Sequence, residues 1–184
     1  MISLTDILKA SNGQLFGESV SHLFTDFCFD SREAKESQLF VAMRTDKGDS
    51  HQYIDEAIKN GAAGIICTSP PDADIDNVTV IVVKDPLTAI MKWVQLMLGR
   101  LDATIIVVAG SSARSTSAEA IRCILDDTKN VYYRDVDVGG RLGVAIGLAE
   151  VLPSHEAIIL KFNTTFPGEM DEMINMVQPD IVVM

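Results

Sequence analysis

The segment Ala109-Gly110-Ser111-Ser112-Ala113-Arg114-Ser115-Thr116 follows the apolar run Ile106-Val107-Val108 and precedes a helical pattern. A buried strand that turns through small residues into a helix points backbone N–H groups at one spot, and in α/β proteins that spot holds phosphate. In a working loop of this type glycines let the backbone curl round the phosphate oxygens. A Lys then bridges the β and γ groups, and a Ser or Thr hydroxyl holds Mg²⁺. Here Ala113 and Arg114 stand where Gly and Lys are wanted, while Ser115 keeps the hydroxyl and is the candidate metal ligand. A Cβ at Ala113 is costly if that residue needs a positive φ, and Arg114 keeps the charge without the compact ammonium. On spacing alone the turn also reads as an ordinary capped helix start.

Other residues suited to binding lie earlier. Ser31 and Arg32, in Asp30-Ser31-Arg32, and His51 offer donors for a uracil or a diphosphate, although Asp-Ser-Arg serves equally as a buried turn network. Cys28, Cys67 and Cys123 are far apart in apolar runs, with neither metal spacing nor an even disulfide framework, and are expected to be buried, reduced thiols. His22, His51 and His155 have no second ligand three or four residues away, so no zinc-type site is expected.

Composition narrows the partners. With 26 acidic against 15 basic residues the net charge is -11, which repels nucleic acid and anionic membrane surfaces. No apolar stretch approaches the roughly 20 residues of a membrane helix, and the start lacks the basic and apolar blocks of a signal peptide. A cytoplasmic protein is expected. At 184 residues and 47% apolar, the chain can bury one ordinary core or two small ones.

Two sets of elements must position these residues. Helical patterns are read at 4–10 (stopped by Ser11-Asn12-Gly13), 52–60 (closed by Gly61) and 86–101, with strands at 23–29, 39–43, 64–68 and 78–83. The pattern restarts after residue 101 with an apolar strand at 104–109, helices at 116–126 and 142–151, a strand at 157–160, a helix at 169–177 and a strand at 180–184. Continuous apolar strands alternating with helices predict a parallel sheet covered on both faces. The fold class is therefore α/β: a small N-terminal α/β domain, 1–101, then a partial phosphate-loop-type parallel-sheet domain, 102–184. Ending inside a strand, the chain reads as truncated.

Taken in order, these motifs resemble the Mur ligases. The loop matches, position by position, that family's Thr-Gly-Ser-Ser-Gly-Lys-Thr at the end of a central-domain strand. Asp30-Ser31-Arg32 and Gln38-Leu39-Phe40-Val41-Ala42-Met43 are similar to its Asp-Ser-Arg and Asp-Leu-Phe-Val-Ala-Leu. Gly48-Asp49-Ser50-His51-Gln52-Tyr53-Ile54 and Ala57-Ile58-Lys59-Asn60-Gly61-Ala62-Ala63 also have counterparts. Phe166-Pro167-Gly168-Glu169-Met170 and Pro179-Asp180-Ile181-Val182-Val183 are nearest the branch that adds D-alanyl-D-alanine to a UDP-linked muramoyl tripeptide. The resemblance implies a first domain for the UDP-linked substrate or a UDP-sugar, and a central domain for ATP and Mg²⁺. It also implies amide-bond formation for peptidoglycan through an acyl phosphate, completed by a third domain.

The departures from the family pattern fall on that chemistry. Besides Ala113 and Arg114, Lys161 stands at the family's Mg²⁺-binding Glu, Phe166 where a metal-site His is common, and Gly139-Gly140 in place of an Asn-Asn pair. The expected protein is a catalytically degenerate homologue, a binding or scaffold module with a possible protein partner. The alternative is the front part of a divergent active ligase in which Arg114 replaces Lys.

Overall fold

The computed structural model describes residues 1–45, 48–134, 140–164 and 167–184. It divides into Met1–Trp93 and Val94–Met184.

In the first unit β1 (Ile2–Ser3) runs into α1 (Leu4–Ser11), which stops where Asn12 turns left-handed (φ 52). After β2 (Gln14–Phe16), the strand expected over 23–29 is two, β3 (Leu23–Phe24) and β4 (Phe27–Cys28). Thr25 and Asp26 break it: the Thr25 N–H donates to the Ser37 carbonyl at 2.9 Å and the Phe27 N–H to Asp26 Oδ1 at 2.8 Å. Its halves then serve different neighbours, β3 antiparallel to β1 and β4 parallel to β5 (Leu39–Val41). A short antiparallel pair, β6 (Arg44–Thr45) with β7 (Gly48–Asp49), escaped the alternation rule because two residues carry no period.

The helix expected from residue 52 starts as a 3₁₀ turn, Ser50–Tyr53, and continues as α2 (Ile54–Lys59). With β8 (Gly64–Cys67) and β9 (Thr79–Val82) the sheet order is β2-β9-β8-β5-β4, parallel except for β2. Phe40, Ile65, Cys67 and Val80 pack with Ile54 and Ala57 of α2 into one core, each large side chain contributing roughly 1.5–3 kcal/mol by leaving water. A Cβ on Gly64 would lie 2.5 Å from Phe24 Cε1, which explains a glycine inside a buried strand.

The division falls within α3 (Pro86–Leu98), which ends before the expected residue 101 as Gly99, Arg100 and Leu101 close its last turn. The second unit continues with β10 (Thr104–Val108), α4 (Arg114–Leu125), β11 (Val131–Tyr133), α5 (Gly140–Ala149), β12 (Ala157–Lys161), α6 (Glu169–Val177) and β13 (Ile181–Val183). Its sheet has the order β11-β12-β10-β13 and every pair is parallel. β11 is an addition to the sequence reading, a three-residue strand too short to announce itself. β10 and β12 are buried almost throughout, as continuous apolar runs require. β13 departs from the covered sheet, with Ile181 47% and Val182 45% exposed.

Cys28 and Cys67 are buried, but Cys123 is exposed, contrary to expectation. It lies on the solvent side of α4 with Glu119 and Arg122, and its apolar neighbour Ile124 is itself 73% exposed, so the apolar residues beside it do not mark a buried face. Among the described residues no helix is long and apolar enough to cross a membrane.

Candidate functional site

β10 delivers the loop to the carboxyl edge of the parallel sheet, the side on which α/β folds bind ligands. The strand end is fixed on both sides. The Ala109 N–H donates to the Val183 carbonyl at 2.8 Å, and the Phe162 N–H to the Val108 carbonyl at 3.0 Å. From there Gly110 (φ 144) and Ala113 (φ 58, ψ 12) turn the chain into α4. Ala113 is left-handed, a state that is unfavourable by about 1–2 kcal/mol for a residue with a Cβ. The arch is thus built with Ala where glycine fits without strain. α4 begins at Arg114, two residues before the predicted start, since the Ser117 N–H already reaches the Ala113 carbonyl at 2.9 Å. The Arg114 guanidinium turns back and donates through Nη1 to the Gly110 carbonyl. Its charge lies on the loop's own backbone, with Gly110, Ser111, Ser112, Ala113, Ser115 and Thr116 exposed around it.

Lys161 is the last residue of β12, paired with Val108 at the end of β10. That register sets it beside the loop although 46 residues separate it from Ser115. Lys161 is 6% exposed, and its Nζ donates to Ser115 Oγ at 2.8 Å. The hydroxyl that would hold a divalent ion is therefore held by an ammonium. Mg²⁺ requires oxygen ligands, carboxylates above all, and a fixed cation 2.8 Å from the hydroxyl opposes it. Among the described residues no group of three or more His, Cys, Asp or Glu could hold a metal. The residues present do not fit Mg²⁺. Phe166 and Gly139 lie outside the described residues.

The first-unit candidates form two separate networks. Arg32 folds onto Asp30, with Nη2 to Oδ2 at 2.5 Å and Nε to Oδ1 at 2.8 Å, and that ion pair lowers the Asp30 carboxyl to about 2. Ser31 is buried, donating to Glu56 Oε2 at 2.5 Å while its carbonyl accepts from Asn60 Nδ2 at 2.9 Å. His51 belongs to the other network. Its Nε2 accepts the Thr68 N–H at 3.0 Å, so the proton is assigned to Nδ1, which lies 2.6 Å from Asp49 Oδ1. The Asp49 carboxyl is lowered to about 2, first by the His51 backbone N–H and then by Arg44 and the imidazole. His51 lines a concavity with Gln52, Ser69, Pro70, Pro71 and Asp72, to which neither Ser31 nor Arg32 contributes.

Sequence reasoning missed Glu56 and Thr68, which join their networks only through tertiary contact.

Known proteins agree with this architecture. The UDP-N-acetylmuramoyl-tripeptide–D-alanyl-D-alanine ligase of Escherichia coli is 25% identical over 177 residues, 96% of this chain and 37% of its own length. The chain belongs to the Mur ligase family. MurF ligase from Thermotoga maritima, solved in complex with ADP, superposes with a TM-score of 0.71 and 25% identity over 84% of this chain and 36% of that one. The diaminopimelate–D-alanyl-D-alanyl ligase structure from Acinetobacter baumannii matches with a TM-score of 0.83 over 98% of this chain and 40% of that one, at 22% identity. The Mur ligase homologue described here thus spans less than half the length of these relatives. No family profile matches it.

Proposed function

We propose that this chain is the front part of a peptidoglycan-type Mur ligase homologue that has given up phosphoryl transfer and acts as a binding or scaffold module. One observation carries the reading: the Lys161 ammonium sits on the Ser115 hydroxyl, where the family's chemistry calls for a divalent ion. Ala113 in a glycine conformation and Arg114 folded onto Gly110 support it. The N-terminal domain read from the sequence, residues 1–101, is the part assigned to a UDP-linked muramoyl peptide or UDP-sugar, with Ser31, Arg32 and His51 as candidate contacts in a cytoplasmic setting.

Two titrations test this. Calorimetry with Mg-ATP should give no micromolar binding; heat at that level, abolished by EDTA, overturns the proposal. A melting-temperature screen with UDP-muramoyl peptides and UDP-sugars should find stabilisation, since a one-site ligand at about 100 times its Kd adds ~2.7 kcal/mol. Silence from every ligand would reduce the role to a scaffold. A divergent active ligase remains the second reading, favoured by the positive charge retained at Arg114; it requires Mg-ATP binding, which the same calorimetry detects.

A further inference from the structure

The parallel strands of the first unit have a carboxyl edge of their own, the side on which open α/β sheets bind ligands. At the end of β8 the chain leaves through Thr68 and Ser69 into Pro70, Pro71 and Asp72, and the 3₁₀ turn Ser50–Tyr53 runs beside it into α2. The concavity lined by these two segments holds about 300 Å³, the lower end of the range for small-molecule sites, about 300–1,000 Å³.

Its walls are set before anything binds. His51 is held at both ring nitrogens, by Asp49 and by the Thr68 N–H, and so ties the 3₁₀ turn to the end of β8. Pro70 and Pro71 lock two consecutive φ angles in the facing loop, and with Ala73 they supply carbon surface. A preformed site loses little to ordering when it is filled.

The charges on the lining are all negative. Asp55, in the first turn of α2, and Asp72, after the prolines, line the concavity, and no Lys or Arg does. Among the described residues neither carboxylate has a hydrogen-bond or ion-pair partner. His51 is neutral while its Nε2 accepts from Thr68. A phosphate or carboxylate is therefore repelled here. A divalent ion lacks ligands, since among the described residues no group of three or more His, Cys, Asp or Glu could hold one. An organic cation fits both features: its N–H groups meet the carboxylates while its carbon chain lies on the prolines.

We propose that the concavity at the end of β8 binds a small aliphatic diamine or amino-guanidine between Asp55 and Asp72. Neither Ser31 nor Arg32 lines it, so its ligand is independent of the UDP-linked one proposed above.

The experiment titrates the full chain with cadaverine and with agmatine, reading backbone amide shifts by NMR, with pentanol as the uncharged control. Both amines should shift the amides of Gln52, Ser69 and Asp72, with affinity falling as salt rises, and pentanol should shift none of them. Asp55→Asn and Asp72→Asn, both at exposed positions, should each weaken binding about tenfold by removing one charge-assisted contact. Asp74→Asn removes the same charge from the same loop but outside the concavity, and should leave affinity unchanged. That comparison separates a site from the average field of a chain with net charge -11. Absence of shifts with both amines, equal weakening by Asp74→Asn, or displacement of cadaverine by millimolar calcium overturns the proposal. Should one of the two lining variants fail to fold, the other decides together with Asp74→Asn.

Discussion

The Lys161 ammonium donates to the Ser115 hydroxyl across 2.8 Å, joining the end of a buried strand to the first turn of the helix that follows the loop. Because Lys161 is buried, the hydroxyl stands in for water that the ammonium has lost. Ser115→Ala should therefore destabilise the second unit by about 1–3 kcal/mol, the usual effect of removing a partner from a buried charged donor. Ser115→Thr keeps the hydroxyl and should lie close to the parent. Urea midpoints of the two variants check this, and equal midpoints would mean that the contact adds nothing to stability.

Ala113 makes the opposite prediction. Its φ of 58° is left-handed, so replacement by glycine removes a penalty of about 1–2 kcal/mol and adds back somewhat less in unfolded-chain entropy. Ala113→Gly should raise stability by roughly 0.5–1 kcal/mol. An Ala→Gly change that stabilises is unusual, and a lowered melting temperature would show that the loop is not left-handed at this residue.

Much of this loop was legible beforehand. The strand ending at Val108, the turn, and the conformational cost at Ala113 follow from an apolar run meeting small residues. The Lys161–Ser115 contact was not, because its two residues meet only through the parallel register of β10 with β12. The strand break at Thr25 and Asp26 was hidden for a related reason, since propensity in the surrounding run gives no sign that Phe24 and Phe27 serve different neighbours. Cys123 shows the limit of local hydrophobicity: a cysteine between Ile121 and Ile124 is buried or exposed according to the helical face it occupies, and here it faces solvent.

The Asp49 cluster sets a pH dependence at the acid end. Its folded carboxyl value of about 2 lies below the ordinary 3.8, so its contribution is complete above about pH 4 and is lost as pH falls through 2. Asp49→Asn should lower the melting temperature at pH 6 and should have a shallower loss than the parent between pH 4 and pH 2. Parallel curves for the two proteins would show that the carboxylate's bonds to His51 and Arg44 do not stabilise the fold.

Thiol chemistry separates the three cysteines. Burial raises both the Cys28 and the Cys67 thiol, Cys67 to about 11, which leaves almost no thiolate at neutral pH. Cys123 is exposed beside the Arg122 guanidinium. Native protein at pH 7.5, treated with a maleimide, should gain one label, mapped to Cys123, and three after denaturation. Native labelling of Cys28 would show that the first unit opens locally on the timescale of the reaction.

Restoring the metal chemistry is the most demanding test of the site. Ala113→Gly gives the arch its strain-free residue, Arg114→Lys supplies a compact ammonium, and Lys161→Glu replaces the cation on Ser115 with a carboxylate that a divalent ion accepts. If these three positions account for the loss, the triple variant should bind Mg-ATP measurably by calorimetry while the parent does not, and EDTA should remove the gain. Lys161→Glu must carry most of the effect, because the first two changes reshape the phosphate cradle while the ammonium still occupies the metal's place. The double variant Ala113→Gly with Arg114→Lys should accordingly show no response to Mg²⁺. A folded triple variant that remains silent would place the missing contacts elsewhere, in parts of the longer relatives that this chain does not span. Hydrolysis is expected of neither protein, since the three changes restore phosphate and metal contacts only and add no group that orients a water for attack on the γ-phosphorus.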